Sequence, residues 1–380
     1  MKKKDDIIKV AIISNLGYPL YNRKCKNEVF GGGAAVQLYL ISKKLAEIKE
    51  VDVSVITGNY GFTKNKIEVL PNGLKLHNIR PFKRKLSYYF LSLILFFFEL
   101  VKLNPDVVIE RGMNKRVGIS ALYCKLFRKR LIFSVANKTD VDGTAEKGFF
   151  GKLFKYGLLR ADRIIAQNYE QISELKSNYN INSSKIDLIG SSYYLDEIKK
   201  SIIKDSILWI ARAIEWKRPE YFIKLAKKFP KEKFIMICNK TDEKQTNVRY
   251  WKNLKTSAGK ISNLIFKEYV PFEIINKYFE NAKVFINTSK HEGFPNTFIQ
   301  SFKTNTPVIS LKVNPNSIFN KYDIGFVCKD DFKMMEKNLR TLITDNELYK
   351  KFSENAYNYV KTHHNINENI KYWLKIIKGL

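Results

Sequence analysis

The chain has 380 residues, 45% of them hydrophobic, so it can bury two cores of about 150 to 200 residues each. Its 67 Lys and Arg against 37 Asp and Glu give a net charge of +30, which favours polyanionic partners or, alternatively, reflects solvated surface lysine. The four cysteines have no CxxC spacing, which argues against a zinc site or a disulfide framework and favours a reducing cytoplasm.

The first half of the chain alternates short apolar runs with segments of helical spacing. Residues 9–14 and 51–58 read as strands on either side of a helix in residues 31–47. Further strand patterns follow in residues 106–110, 130–136 and 163–167, with helical stretches between them. This alternation predicts a doubly wound, parallel α/β domain.

Residues 86–103, LSYYFLSLILFFFELVKL, form the most apolar segment and follow Lys83, Arg84 and Lys85. Glu99 leaves 13 uncharged residues before it, fewer than the roughly 20 that span a bilayer. The pattern therefore predicts a buried or interfacial helix. Its aromatic content and basic flank suit an anionic membrane surface, and an ordinary core helix is the alternative.

A second α/β series begins after residue 195, with strand patterns in residues 206–212, 233–238, 263–270, 283–289 and 307–311. The last stretch, residues 367–380, is an apolar-striped helix. The order predicts two similar domains facing each other across a cleft: residues 1–195 and 196–360, with a terminal helix in 361–380 that packs back on the first domain.

Ligands of open α/β sheets bind beyond the carboxyl ends of the strands, so the loops there are candidate sites. Gly31, Gly32 and Gly33 precede a helix, where bare backbone N–H groups and the helix dipole could meet an anion. A tight structural turn is the alternative. In ARAIEWKRP, Arg212 follows a strand and Lys217 comes shortly after. Arginine and lysine together suit a diphosphate, although both could be solvated surface charges.

The third loop, KHEGFPNTFIQ, follows the strand pattern of residues 283–289. Glu292 could accept hydrogen bonds from sugar hydroxyls, and a helix starting at Pro295, Asn296 and Thr297 could direct N–H groups at a phosphate. Phosphate beside polyol describes a nucleotide-sugar. Alternatively, Thr297 and Gln300 fit a capping box that only satisfies the helix end.

These residues resemble a known family. SKHEGFPNTFIQSFKTNTPVIS is similar to the signature of the retaining GT-B glycosyltransferases of group 1 or family 4: a Glu, seven residues, and a second Glu. Arg212 and Lys217 fall where that family binds the donor diphosphate. The three glycines match its N-terminal glycine loop.

The resemblance implies a GT-B fold of two Rossmann-like domains, with the donor on the C-terminal domain and the acceptor on the N-terminal one. It implies that Glu292 contacts the transferred sugar and that Gly293 to Thr297, with Phe294 among them, contact sugar and phosphate. Gln300, in place of the second Glu, would reach the ribose. The resemblance also implies that Arg111 and Asn137 belong to the acceptor side. Asn137-Lys138 stands where related sequences often have His-Asp.

The sequence therefore predicts a retaining, metal-independent glycosyltransferase without cofactor, acting on a nucleotide-sugar donor and a glycan or lipid-linked acceptor in surface polysaccharide or glycolipid assembly. We expect it in the cytoplasm, with attachment to the anionic inner face of the membrane considered as well. Three alternatives are a metal-dependent GT-A transferase using Asp140-Val141-Asp142, an inactive carbohydrate-binding homologue, and a basic nucleic-acid-binding protein, although no nucleic-acid partner is expected.

Overall fold

The structure is a computed structural model that describes residues 7–22, 32–59, 61, 63–79, 86–195, 204–240 and 248–379. It divides into two compact units. Unit 1 comprises Met1–Ser192 and Ile366–Leu380, and unit 2 comprises Tyr193–Asn365. Among the described residues, no helix has both the length and the apolar character that crossing a membrane requires.

Unit 1 is built on a sheet with the strand order β3-β4-β2-β1-β5-β6-β7-β8. All neighbouring pairs are parallel except β3 with β4. The strands are β1 Ile8–Ile13, β2 Val51–Gly58, β3 Ile67–Val69, β4 Lys75–Ile79, β5 Val107–Arg111, β6 Arg130–Ser134, β7 Arg163–Ala166 and β8 Ile186–Leu188. The helices are α1 Tyr18–Tyr21, α2 Gly33–Leu45, α3 Leu86–Leu103, α4 Arg116–Leu126, α5 Gly148–Leu159 and α6 Tyr169–Tyr179.

Unit 2 has a fully parallel sheet with the order β11-β10-β9-β12-β13-β14. Its strands are β9 Ser206–Arg212, β10 Lys233–Asn239, β11 Leu264–Lys267, β12 Ala282–Asn287, β13 Val308–Ser310 and β14 Gly325–Val327. Its helices are α7 Pro219–Lys228, α8 Val248–Gly259, α9 Phe272–Glu280, α10 Asn296–Phe302, α11 Ile318–Tyr322, α12 Phe332–Thr344 and α13 Asn346–His363. The parallel sheet of unit 2 and the largely parallel sheet of unit 1 confirm the predicted doubly wound α/β class.

The apolar runs of the sequence become the buried strands, as expected for parallel sheets that are covered on both faces. In unit 2, Trp209 on β9 and Phe234 on β10 are buried against Phe222 of α7. The last helix, α14 (Ile366–Lys378), packs against α2, and Asn369 Nδ2 donates to Ser192 Oγ at 2.8 Å. The chain thus returns to unit 1 through a helix with one apolar face.

Candidate functional site

Two neighbouring strands of unit 2 deliver the charged residues that the sequence singled out. β9 and β12 pair in parallel, with Leu208 opposite Phe285, so their carboxyl ends lie at the same sheet edge. β9 ends at Arg212, and the turn after it carries Lys217. β12 ends at Asn287, and the loop after it carries Glu292. Adjacent strands thus bring residues about 80 positions apart in the sequence into one site.

Lys217 and Glu292 contact each other directly. Lys217 Nζ donates a hydrogen bond to Glu292 Oε1, and the two side chains are only 13% and 12% exposed. Ser289 Oγ donates to the same carboxylate oxygen at 2.8 Å. The sequence predicted a phosphate-binding Lys217 and a sugar-binding Glu292, but it did not indicate that they form an ion pair.

Arg212 completes a cluster of three charges. Its side chain is exposed. Burial lowers the pKa of the Lys217 ammonium, and the positive charge of Arg212 lowers it further, while Glu292 raises it by charge and by hydrogen bonding. Two cations thus share one carboxylate, which leaves a net positive site that suits a ligand with more than one negative charge.

An aromatic pair joins the two loops next to the ion pair. The rings of Trp216 and His291 stack with their centroids 4.7 Å apart and an angle of 16° between their planes. Lys217 Nζ lies 4.2 Å from the centroid of the Trp216 ring, and the Lys290 backbone N–H donates to the Trp216 carbonyl at 2.8 Å. The sequence analysis missed this pair. The one signal in the sequence is that each of the two rings directly precedes a charged residue of the site.

The turn that carries Lys217 is fixed by Thr288 from the loop after β12. Thr288 Oγ1 donates to the Lys217 carbonyl at 2.6 Å and accepts from Trp209 Nε1 at 2.9 Å. Arg218 Nε donates to the Thr288 carbonyl at 2.7 Å, and the backbone of Arg218 has a φ of 50°. A non-glycine residue in this left-handed region is uncommon. These contacts hold the Lys217 backbone against the neighbouring loop.

The helix after Glu292 does not begin where the capping-box interpretation requires. α10 starts at Asn296, its N-cap residue is Pro295, and no side chain caps it. Thr297 is therefore the second residue of the helix and cannot act as the N-cap partner of Gln300. The capping-box alternative is wrong, because Pro295 occupies the position that it would need. Gln300 is 7% exposed and lies on the buried side of the helix.

The other residues of the motif are buried to different degrees. Gly293, Phe294 and Pro295 are buried, and Asn296 and Thr297 are half-buried. The Phe294 ring packs on the ring of His364, with centroids 4.7 Å apart. The motif therefore packs against residues that directly follow α13.

The predicted residues of the N-terminal half lie in unit 1. Gly32 is the N-cap residue of α2 and Gly33 its first residue, and both are exposed; Gly31 lies outside the described residues. Arg111 ends β5, is buried, and donates to Ser134 Oγ at 2.5 Å and Ser191 Oγ at 3.3 Å. Asn137 follows β6 by three residues, at the same sheet edge as Arg111 because β5 and β6 are parallel.

Asp140 organises the loop that contains Asn137. Its carboxylate accepts backbone N–H bonds from Ala136 at 2.7 Å, Asn137 at 2.9 Å and Met113 at 3.0 Å. Burial raises the pKa of Asp140, although these hydrogen bonds act to lower it. Within the ranges that the structure describes, no three His, Cys, Asp or Glu side chains are grouped as a metal site would require. The Asp140-Val141-Asp142 motif thus contributes a loop-forming carboxylate.

Comparison with known proteins gives matches to two protein families. The family described as "Glycosyl transferases group 1" matches residues 196–359, and the family described as "Glycosyltransferase Family 4" matches residues 31–192. Together the two matches include Arg212, Lys217 and Glu292 of unit 2 and Arg111 and Asn137 of unit 1.

Relatives and solved structures agree with these matches. An uncharacterized glycosyltransferase of Methanocaldococcus jannaschii is 24% identical over 92% of this chain and 95% of its own length. The O-antigen chain mannosyltransferase RfbU of Salmonella typhimurium is 23% identical over 70% of this chain and 74% of its own.

Two solved structures share the architecture. Sucrose-phosphate synthase of Thermosynechococcus elongatus has a TM-score of 0.77 at 14% identity, with 98% of each chain covered. HepE of Anabaena, solved in complex with UDP and glucose, has a TM-score of 0.75 at 14% identity, covering 98% of this chain and 100% of its own. The likeness shows the predicted GT-B fold, so the GT-A alternative is wrong.

Proposed function

The chain belongs to the group 1 glycosyltransferases with the GT-B fold, and from this premise we propose that it moves a sugar from a nucleotide diphosphate donor to an acceptor hydroxyl with retention of configuration. The observation that carries the proposal is the convergence of Arg212, Lys217 and Glu292 at the carboxyl edge of the unit 2 sheet.

The donor diphosphate binds to the two cations in this proposal. Arg212 offers a planar fork of donors, while Lys217 offers a compact ammonium with three N–H bonds. One of those bonds is made to Glu292, so the others remain for phosphate oxygens. Glu292, held by Ser289, keeps acceptor capacity for sugar hydroxyls. Gln300 faces the ribose, and residues Gly293 to Thr297 line the sugar and phosphate.

The reaction exchanges one bond at the anomeric carbon for another on the same face of the sugar. The acceptor oxygen forms a bond to that carbon as the bond to the diphosphate oxygen breaks, and the acceptor proton moves to the departing phosphate. Negative charge grows on the diphosphate, where Arg212 and Lys217 stabilise it. Because the leaving group takes the proton, the chain supplies positioning and charge and needs no side-chain base or metal.

The acceptor is a glycan or a lipid-linked sugar, and unit 1 binds it through the region of Arg111 and Asn137. The similarity to an O-antigen mannosyltransferase supports a role in surface polysaccharide assembly. UDP complexes of a structural neighbour support a nucleotide-sugar donor, and they leave the base and sugar of this enzyme's own donor open to experiment.

A panel of nucleotide-sugars tests the proposal. Each donor is screened for a rise in melting temperature, and any that binds is incubated with lipid-linked and free glycan acceptors in excess EDTA. We expect one donor class to bind, transfer to persist in EDTA, and proton NMR of the product to show the donor's anomeric configuration. Inversion would contradict the mechanism. Binding without any transfer would support the inactive-homologue alternative, and no binding would overturn the proposal.

A further inference from the structure

Helix α3 buries one face in unit 1 and leaves the other apolar face exposed. Leu93, Phe96 and Leu100 are buried, and Glu99 pairs with His77 at 2.8 Å. The opposite stripe has relative exposures of 42% to 62% and follows the four-residue helical spacing: Phe90, Leu91, Ile94, Leu95 and Phe98. A surface helix of a globular protein normally carries polar residues on that side.

Helices α4 and α5 extend the exposed stripe. The Phe90 ring lies 6.1 Å from that of Phe149 at the start of α5, and Phe97 lies 6.1 Å from Phe98 and 6.5 Å from Phe127 after α4. We define the α3–α5 face as the exposed apolar residues of this region: Phe90, Leu91, Ile94, Leu95, Phe98, Leu122, Leu126, Phe127 and Phe149.

Basic residues accompany the α3–α5 face. Lys125 and Arg128 flank Leu126 and Phe127 and are exposed, and Lys147 and Lys152 flank Phe149 and are exposed. Lys115 Nζ lies 3.7 Å from the centroid of the Phe150 ring. The sequence has no Asp or Glu in residues 111–139 or 147–161, so the cations around the apolar side chains have no acidic neighbours within these segments.

We propose that the α3–α5 face docks unit 1 onto an anionic lipid bilayer. Exposed aromatic and aliphatic side chains enter the boundary between headgroups and acyl chains, while the lysines and Arg128 bind the anionic headgroups. A second copy of the chain fits the face poorly, because a two-fold interface would place like charges against each other. The proposal extends the proposed function, since a lipid-linked acceptor lies in such a bilayer, but its physical basis is the unit 1 surface alone.

Vesicle co-sedimentation of the full chain tests the proposal. We expect strong binding to vesicles of phosphatidylglycerol and phosphatidylcholine, weaker binding in high salt, and little binding to pure phosphatidylcholine. Ile94→Ser/Phe98→Ser should weaken binding to anionic vesicles about tenfold or more, because two exposed apolar side chains no longer insert. Lys125→Gln/Arg128→Gln should weaken it about thirtyfold at low salt, because two charges are lost.

Matched controls change equally exposed residues elsewhere. Val69→Ser/Tyr372→Ser removes apolar side chains that are 67% and 61% exposed, and Lys227→Gln/Lys228→Gln removes two exposed charges of α7. Both should bind vesicles like the wild type. Equal binding to neutral and anionic vesicles would overturn the proposal, and so would unchanged vesicle binding of the Ile94→Ser/Phe98→Ser variant. It would also be overturned if that variant disrupted a dimer of the wild type and did not weaken vesicle binding.

Donor binding is measured on the same proteins, so that failure of this proposal is distinguished from failure of the proposed function. All four variants should keep wild-type melting behaviour and nucleotide-sugar affinity. If Ile94→Ser/Phe98→Ser alters folding, Phe149→Ser on α5 provides the second test of the same face, with about a fivefold loss expected.

Discussion

Replacing Lys217 with methionine should reduce both stability and donor affinity, for separable reasons. Glu292 would keep the hydrogen bond from Ser289 but lose its direct cation while only 12% exposed. Removing one partner of a buried ion pair costs about 3–5 kcal/mol, because the other charge stays desolvated. The remaining serine contact and the nearby Arg212 offset part of this, so we expect a loss of about 3 kcal/mol in unfolding free energy.

Donor binding responds to the cation itself. A charged hydrogen bond contributes about 1.5–3 kcal/mol, so Lys217→Met should weaken nucleoside diphosphate binding roughly 10- to 150-fold. The double variant Lys217→Met/Glu292→Gln removes the orphaned charge, so it should regain most of the lost stability without regaining affinity. Urea unfolding and calorimetric titration measure the two effects on the same samples.

A partly exposed ion pair at the other end of β12 provides the control. Lys283 lies on β12, 3.1 Å from Glu232, with side chains 36% and 22% exposed. Lys283→Met should cost less than about 1 kcal/mol and leave donor affinity unchanged. Wild-type stability and affinity in Lys217→Met would refute the reasoning, and so would a double variant that regains affinity.

Three further predictions concern single residues. Gln300→Ala should lower donor affinity and Gln300→Glu should preserve or raise it, because a carboxylate is the stronger acceptor for ribose hydroxyls; calorimetry that finds no change in either variant would contradict the ribose contact. Trp216→Ala should lower donor affinity several-fold and Trp216→Phe much less, since an aromatic pair contributes about 0.5–1.5 kcal/mol and the His291 stack positions Lys217; equal effects would show that stacking is irrelevant. Burial raises the pKa of Glu110 to about 7 from 4.5, so the native state holds a proton that the unfolded chain releases. The contribution of the bound proton to stability is complete below pH 4.5 and is lost as the pH rises through 7. Relative to Glu110→Gln, the unfolding free energy of the wild type should therefore fall by about 3 kcal/mol over that range. Parallel pH profiles of the two proteins would contradict this.

The sequence was sufficient to predict the fold class and the meeting of Arg212, Lys217 and Glu292. Parallel strands fix the edge at which the following loops emerge, and the resemblance to the glycosyltransferases assigned all three residues to one donor site. Direct contact between Lys217 and Glu292 could not be predicted, because it depends on the register of β9 with β12 and on the turn that Thr288 holds.

The capping-box alternative fails for a local reason. The pattern S/T-x-x-E/Q predicts a cap only if the helix begins directly after the serine or threonine. Here the helix begins at Asn296, after the N-cap residue Pro295, two residues earlier than a cap at Thr297 would require. The apolar segment of residues 86–103 shows the opposite case. Its spacing predicted the helix. Packing against α4 decides which face is buried and which is exposed, and the sequence of this segment alone carries no information on that contact.

Titration of the wild-type protein and of Arg212→Gln with a nucleoside diphosphate and the matching monophosphate tests the central claim most directly. If Arg212 and Lys217 together hold a diphosphate, the wild type should bind the diphosphate at least about tenfold more tightly, because the second phosphate gains a charged contact of about 1.5–3 kcal/mol. Arg212→Gln should lose most of that preference while binding the monophosphate nearly as before. Equal affinity of the wild type for the two nucleotides, or a preference that Arg212→Gln retains in full, would contradict the assignment of this site to a nucleotide diphosphate donor.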